Sequence, residues 1–126
     1  DAWAQRWHCD ILAKTRHSHP EKPSILFVKE CPYLDKLCVA GAQVVSLGAR
    51  HDLALARSRW PDLVFQGNVP MEILRGGTPG EVRSAVRECL RAGGGRRHIL
   101  NLNHGVDKST PPENFQAYVE AAREEV

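Results

Sequence analysis

Four short apolar runs, each followed by a stretch of helical periodicity, constrain the fold of this chain more than any other feature. The runs occupy residues 24–28, 42–47, 62–67 and 98–102, and each comes after a proline or glycine break. Short runs that are apolar on both faces are typical of parallel strands buried between helices. Right-handed crossovers between such strands predict a single parallel sheet.

The helical patterns cover residues 32–40, 51–59, 78–93 and 110–126, and a further pattern at 2–17 precedes the first strand. The predicted fold class is therefore α/β, a parallel (βα)4 unit preceded by one helix. Four such units form half of a TIM-type barrel, although a small open sheet fits the same spacing equally well. We treat residues 1–126 as a single partial domain.

Apolar residues at helical spacing predict which helix faces pack inward. Val82, Val86 and Cys89 give the third of these helices its apolar face. By the same reasoning we expect Leu55 and Phe115 to face the core in the helices at 51–59 and 110–126.

Two helices share a start signal, since Thr78 and Thr110 both open a T-P-x-E sequence. The threonine hydroxyl can cap the third helical N–H, proline suits the first helical turn, and the glutamate can reach back to the cap N–H. We expect a capping box at both sites, and a helix end at the glycine triplet that begins with Gly93.

The N-terminal pattern places Trp3, Trp7 and Ile11 at the spacing of one apolar helical stripe. The chain begins at Asp1, without methionine and without the pattern of a signal or transit peptide. We therefore expect a fragment or a processed chain.

Composition excludes several classes of function. The net charge is +2 with the two signs interspersed, which argues against nucleic-acid binding, and no apolar window is long enough for a membrane span. The chain has neither a G-x-G-x-x-G sequence after a strand nor a P-loop, which argues against a nucleotide cofactor. The four cysteines form no C-x-x-C pair, so we expect reduced thiols, no metal centre and an intracellular, reducing compartment.

Polar residues cluster where the predicted strands end, which is where parallel α/β proteins bind ligands. The candidate site residues supply mainly hydrogen-bond donors, which would suit a ligand rich in carboxylates. Asn68 and Asn103 could equally close turns, and His104 could equally bond to loop backbone. No G-x-S-x-G elbow or second acid-base group accompanies the candidates. The candidates are Lys29, Gln66, Asn68, Asn103 and His104.

Several segments, in order along nearly the whole chain, resemble the uroporphyrinogen decarboxylase family. The most specific is HILNLNHGVDKSTPPENFQAYVEAAREE at 98–125, which is similar to that family's N-L-G-H-G…T-P-P-E-N block. SILFVKE, AGAQVVSLGAR and LVFQGNV resemble its F-x-K, L-D-W and Q-G-N-L-D-P segments, and DAWA resembles its D-S-W-A-G.

The resemblance implies the C-terminal half of a TIM barrel. It also implies cofactor-free decarboxylation of the acetate side chains of a tetrapyrrole in porphyrin biosynthesis. It further implies a homodimer in the cytosol or a plastid, and a place for His104 in the substrate cleft. A mitochondrial location is also compatible with a reducing compartment.

Departures from the family pattern fall on residues of the cleft. Ala2 stands where the family has serine, Gly48 and Ala49 replace the acid and aromatic of L-D-W, Pro70 replaces the aspartate of L-D-P, and Asn103 replaces glycine. The family's catalytic aspartate and its substrate-binding arginines belong to the N-terminal half.

These departures favour a uroporphyrinogen decarboxylase-like protein that is non-catalytic and acts as a structural subunit of a larger assembly. The alternative is the C-terminal half of an active decarboxylase. A zinc-dependent methyl-transfer relative is disfavoured, because no H-x-C pair follows a strand. Whether the chain is a structural subunit or half of an active enzyme, we expect a protein partner to cover the open edges of the half barrel. That partner would be another subunit or the N-terminal half, with a tetrapyrrole as the ligand.

Overall fold

A computed structural model of the chain describes residues 2–124, apart from the side chain of Ala2. The last two residues of the predicted final helix lie outside this range. Helices and strands alternate in the order α1 (Ala2–Ser18), β1 (Ile25–Phe27), α2 (Leu34–Cys38), β2 (Val44–Ser46), α3 (Leu53–Arg59), β3 (Val64–Gln66), α4 (Met71–Gly76), α5 (Pro79–Gly93), β4 (His98–Ile99) and α6 (Pro112–Glu124).

The strands form one sheet in the order β1–β2–β3–β4, and every pairing is parallel. Each strand is followed by at least one helix, so consecutive strands are joined by crossover connections. The predicted (βα)4 half of an α/β barrel, preceded by one helix, is therefore confirmed. The strands are shorter than the apolar runs that predicted them.

The register of the sheet separates two rows of side chains. Leu26, Val45, Phe65 and His98 are aligned on the face that packs against the helices. The other face, here called the inner face, carries Ile25, Phe27, Ser46, Gln66 and Ile99.

The prediction that every strand is buried on both faces is wrong for the two outer strands. Ile25 and Phe27 in β1 remain 51% and 50% exposed, and Ile99 in β4 is also exposed. In a closed barrel this face would be covered by the opposite strands. Four strands provide no such cover, so the inner face stays partly open to solvent.

The helical core confirms some of the predicted faces and corrects others. Val82, Val86 and Cys89 of α5 are buried as predicted. Leu55 and Phe115 are exposed, so their predicted inward orientation is wrong. In α6 the buried residues are Asn114, Ala117 and Ala121, because this helix packs its small residues closely against α5.

The short helix α4 was not predicted, because six residues are too few to show a helical period. Its C-terminal end is held by Asn114, whose side chain is almost fully buried. The Asn114 Nδ2 donates to the carbonyl oxygens of Leu74 (3.0 Å) and Gly77 (2.7 Å). The asparagine of the T-P-P-E-N block therefore satisfies the last carbonyls of a neighbouring helix.

One of the two predicted capping boxes forms. The Thr78 Oγ1 accepts from the Glu81 backbone N–H, and the Glu81 carboxylate accepts from the Thr78 N–H at 2.7 Å. The prediction for the second site is wrong. There the helix begins at Pro112, and the buried Thr110 hydroxyl has no hydrogen-bond partner within residues 2–124. Helix α5 ends as predicted, with Gly94 in the left-handed region at φ 63°.

The stripe on α1 forms but is not buried by the rest of the described chain. Trp3, Trp7 and Ile11 are all exposed. The two indole rings contact each other edge to face, with 6.1 Å between the ring centroids. Among residues 2–124, none of the helices combines the length and the hydropathy that a membrane span needs.

Replacing Gly93 by alanine is expected to destabilise the chain by about 2 kcal/mol, because the added methyl group overpacks a filled site. A Cβ at this position would lie 2.1 Å from the Nδ1 of His98. The measurement is chemical denaturation followed by circular dichroism. Gly76→Ala is the matched control, since a Cβ at Gly76 meets no atom within 4 Å. Equal stability of the two variants would contradict this packing.

Replacing Asn114 by alanine is expected to cost about 2 kcal/mol of unfolding free energy, since one buried and one partly buried carbonyl group lose their donor. The same denaturation experiment measures it. Gln116→Ala, on the exposed side of the same helix, removes only a surface hydrogen bond to Glu120 and should change stability by a few tenths of a kcal/mol at most.

Candidate functional site

An open cleft lies at the carboxyl ends of the strands, on the inner face of the sheet. Its volume is about 280 Å³. Phe27 forms an apolar side, and Ser46, Gln66, Asn101 and His104 supply polar groups. Two of the five candidate residues from the sequence, Gln66 and His104, therefore lie together in one cleft.

Gln66 and Ser46 are neighbours across β2 and β3. Their Cα atoms are paired in the sheet register, and the Gln66 Nε2 donates to the Ser46 Oγ at 3.3 Å. Ser46 was not among the sequence candidates, and neither was Phe27. Strand alternation combined with the register would have placed both in this row, but the register is not readable from one short strand.

His104 lines the same cleft and is half-buried. Its Nδ1 lies 3.4 Å from the carbonyl oxygen of Gly105, which is too long for a strong hydrogen bond. Within residues 2–124 the imidazole therefore makes no strong hydrogen bond to a protein group.

Asn103 is buried and bridges two loops. Its Nδ2 donates to the Glu30 Oε1 at 2.9 Å, and its Oδ1 accepts from the Met71 backbone N–H at 2.7 Å. Both ends of this amide are occupied by protein groups. The structure thus gives Asn103 a bracing contact beside the cleft.

Asn68 and Lys29 are placed outside the cleft lining. The Asn68 Nδ2 donates to the carbonyl oxygens of Gly48 (2.9 Å) and His51 (2.8 Å), which fixes the loop after β2. Lys29 is exposed at the end of β1 and forms no ion pair within the described residues. Its charge is available at the same end of the sheet.

Glu30 is the functional candidate that the sequence analysis missed. The carboxylate accepts from the Asn103 Nδ2 and from the Ala49 backbone N–H at 3.1 Å. The hydrogen bond from Asn103, together with the backbone N–H groups of Ala49 and Arg50, lowers the pKa of Glu30 below its ordinary value of 4.5, against an opposing effect of burial. The search for donors at the strand ends overlooked this acceptor.

The thiols behind the sheet are not activated. Burial raises the pKa of Cys89 and raises that of Cys38 to about 12. Burial also lowers the pKa of His98, which lies 3.8 Å from the Cys89 Sγ. Protonated thiols are poor nucleophiles and poor metal ligands. No group of three metal-ligating side chains occurs in the described part of the chain.

The fold and the cleft define a class of protein, half of a parallel α/β barrel with a polar cleft at the carboxyl ends of its strands. The chain belongs to the uroporphyrinogen decarboxylase (URO-D) family, whose family model matches residues 1–125. The family resemblance seen in the motifs is thereby confirmed.

Curated relatives agree with this assignment. The chain is 35% identical to the uroporphyrinogen decarboxylase of Synechococcus sp. (strain JA-2-3B'a(2-13)), with 98% of this chain and 36% of the relative covered. It is 34% identical to the uroporphyrinogen decarboxylase of Prochlorococcus marinus (strain NATL2A), with 98% and 35% covered. The chain thus spans about a third of the length of these relatives and matches their C-terminal part.

A solved structure supports the fold. A methyltransferase from Methanosarcina mazei superimposes on 93% of this chain and 35% of its own chain, with a TM-score of 0.75 and 21% sequence identity. At this identity the likeness concerns the α/β barrel architecture alone.

The lowered pKa of Glu30 predicts a pH-dependent contribution to stability. A depressed pKa in the folded state stabilises the fold above pH 4.5, and this contribution is lost as pH falls through the folded pKa. Glu30→Gln should therefore be less stable than the wild type at pH 7, by about 1 kcal/mol for a partly solvated charged hydrogen bond.

The difference between the two proteins should shrink as the pH is lowered below 4.5, and urea denaturation from pH 7 to pH 3 measures it. Glu88→Gln is the control, because the exposed Glu88 carboxylate accepts no hydrogen bond within residues 2–124. A constant difference for Glu30→Gln across this range would show that the carboxylate is not the stabilising species.

Proposed function

We propose that this chain forms the C-terminal wall of a tetrapyrrole-binding cleft in a uroporphyrinogen decarboxylase-like protein. The observation that carries the proposal is the cleft on the inner face, which is lined by the exposed Phe27 and by polar groups from three strand ends. A tetrapyrrole with carboxylate side chains has a broad apolar surface and an anionic periphery. The cleft offers a contact for each.

The polar groups of the cleft suit carboxylates. His104 and Gln66 can both donate hydrogen bonds, and Lys29 adds a positive charge at the same end of the sheet. Removal of an acetate carboxyl group breaks a C–C bond, releases CO2 and leaves a carbon that takes up a proton. We assign to this chain the holding of the carboxylates, and to residues outside it the catalysis.

The same geometry supports a protein partner. Ile25, Phe27 and Ile99 leave apolar surface on the inner face, and β1 and β4 are each paired on one side only within the described residues. Open edges and an uncovered apolar face favour association with further strands. We propose that the remaining strands of the barrel come from an N-terminal part like that of the longer relatives.

The compartment of this assembly is proposed to be reducing, such as the cytosol or an organelle stroma. Cys9, Cys31, Cys38 and Cys89 are all free thiols. Free thiols persist where glutathione and thioredoxin keep them reduced.

The test is reconstitution from two pieces. This chain is combined with the part of the Synechococcus relative that precedes the matched segment, and the mixture is examined by size-exclusion chromatography with mass spectrometry. We expect a one-to-one complex that binds uroporphyrin and converts uroporphyrinogen, whereas neither piece alone is active. A failure of the pieces to associate, under conditions where each is folded, would contradict the proposal.

His104→Ala in the reconstituted complex is expected to weaken uroporphyrin binding about tenfold, because a hydrogen bond to an ionised carboxylate is lost. Fluorescence titration measures the dissociation constant. His17→Ala, on the exposed end of α1, is the control and should bind like the wild type. Unchanged binding by His104→Ala would show that this histidine does not contact the ligand.

A second candidate is a non-catalytic structural subunit, and the bracing role of Asn103 favours it. Where the family pattern has glycine, this chain has a buried amide committed to Glu30 and Met71. In this case the two-piece complex would assemble stably and show no turnover. Turnover above that of the relative's piece alone would exclude the structural role.

A further inference from the structure

Glu30 occupies the space that a side chain at position 48 would fill. A Cβ built on Gly48 would lie 2.8 Å from the Glu30 Oε2 and 3.0 Å from its Cδ. Gly48 lies just after β2 and Glu30 lies just after β1. The carboxylate that fills this space therefore reaches over from the end of the neighbouring strand.

The backbone of Glu30 shows that this arrangement has a conformational cost. Its φ is 44°, in the left-handed region where non-glycine residues are uncommon. Such conformations persist when surrounding contacts over-determine them, and they cluster at functional sites. The contacts here are the hydrogen bonds that the carboxylate accepts from the Ala49 N–H and the Asn103 Nδ2.

These bonds connect the ends of three strands with the start of a helix. Glu30 follows β1, Ala49 follows β2, and Asn103 follows β4. Asn103 in turn accepts from Met71 at the start of α4. The residue after Asn103 is His104, whose side chain lines the cleft and has only a weak contact of its own.

We propose that the Glu30 carboxylate stands in for a side chain at position 48, and that Glu30 is a positioning residue for His104. It holds the loop after β4 through Asn103, and so sets where the histidine meets a ligand. The positioning of His104 rests on the proposed tetrapyrrole site, whereas the replacement of residue 48 can be tested without any ligand.

A double-mutant cycle tests the replacement. Gly48→Asp, Glu30→Ala and the combined variant are compared with the wild type by chemical denaturation. Gly48→Asp alone should raise the unfolding equilibrium constant about tenfold, because two carboxylates would compete for one space. Glu30→Ala alone should also raise it about tenfold, because two donors lose their acceptor.

The combined variant should be more stable than either single variant, with a constant within about threefold of the wild type. Gly48→Ala distinguishes the effect of filling the space from the effect of adding a carboxylate, because its methyl group displaces the Glu30 carboxylate without supplying another. Its effect on stability should therefore match that of Glu30→Ala. If the two single effects simply multiply in the combined variant, the replacement is refuted.

The positioning role is tested with uroporphyrin as the probe, added to the complex reconstituted with the N-terminal part of the relative. We expect Glu30→Ala and Gly48→Ala each to raise the dissociation constant about tenfold. The combined variant, Gly48→Asp with Glu30→Ala, should restore binding. The control Glu88→Gln should leave the dissociation constant unchanged. If the combined variant binds uroporphyrin no more tightly than Glu30→Ala does, the positioning role is overturned. If the wild type binds no uroporphyrin, the proposed function and the positioning role both fail, and the stability cycle still decides the replacement.

Discussion

The parallel register of the four strands determines where the other parts of this structure lie. It aligns Val45 and Phe65 on the face covered by helices and aligns Phe27, Ser46 and Gln66 on the inner face. Burial of the first row against α5 provides the hydrophobic core, and the second row becomes the floor of the cleft. A shift of one residue in any strand would exchange the two rows, so stability and site geometry depend on the same hydrogen bonds.

Side-chain amides fix the irregular segments that connect strands with helices. Asn68 and Asn114 each donate to two backbone carbonyl oxygens, and Asn103 donates to a carboxylate while accepting from a backbone N–H. Asparagine suits this task because one planar group carries both donors and an acceptor. Two of these residues were candidates for ligand binding by sequence, and the structure uses their side chains to join strand ends and helix ends.

What could be predicted from the sequence depended on whether the signal was local. The (βα)4 order, the capping box at Thr78 and the buried face of α5 follow from contacts between residues close in the chain, and these were predicted correctly. Helix α4 was missed because six residues do not show a period, and Asn114 was missed because its partners lie 37 and 40 residues away. Gln66 and His104 were proposed from their positions at strand ends, and both line the cleft. Glu30 was missed because its role depends on empty space above a glycine in another loop.

The open edges of the sheet have a consequence for how a partner associates with it. The edge strands are only three residues long in β1 and two in β4, so each offers few backbone groups for pairing. Short edges are poor templates for uncontrolled strand addition. A partner would gain most of its association free energy from the apolar side chains of the inner face. The heat capacity should therefore fall on association, and the dissociation constant of the complex should rise at low temperature.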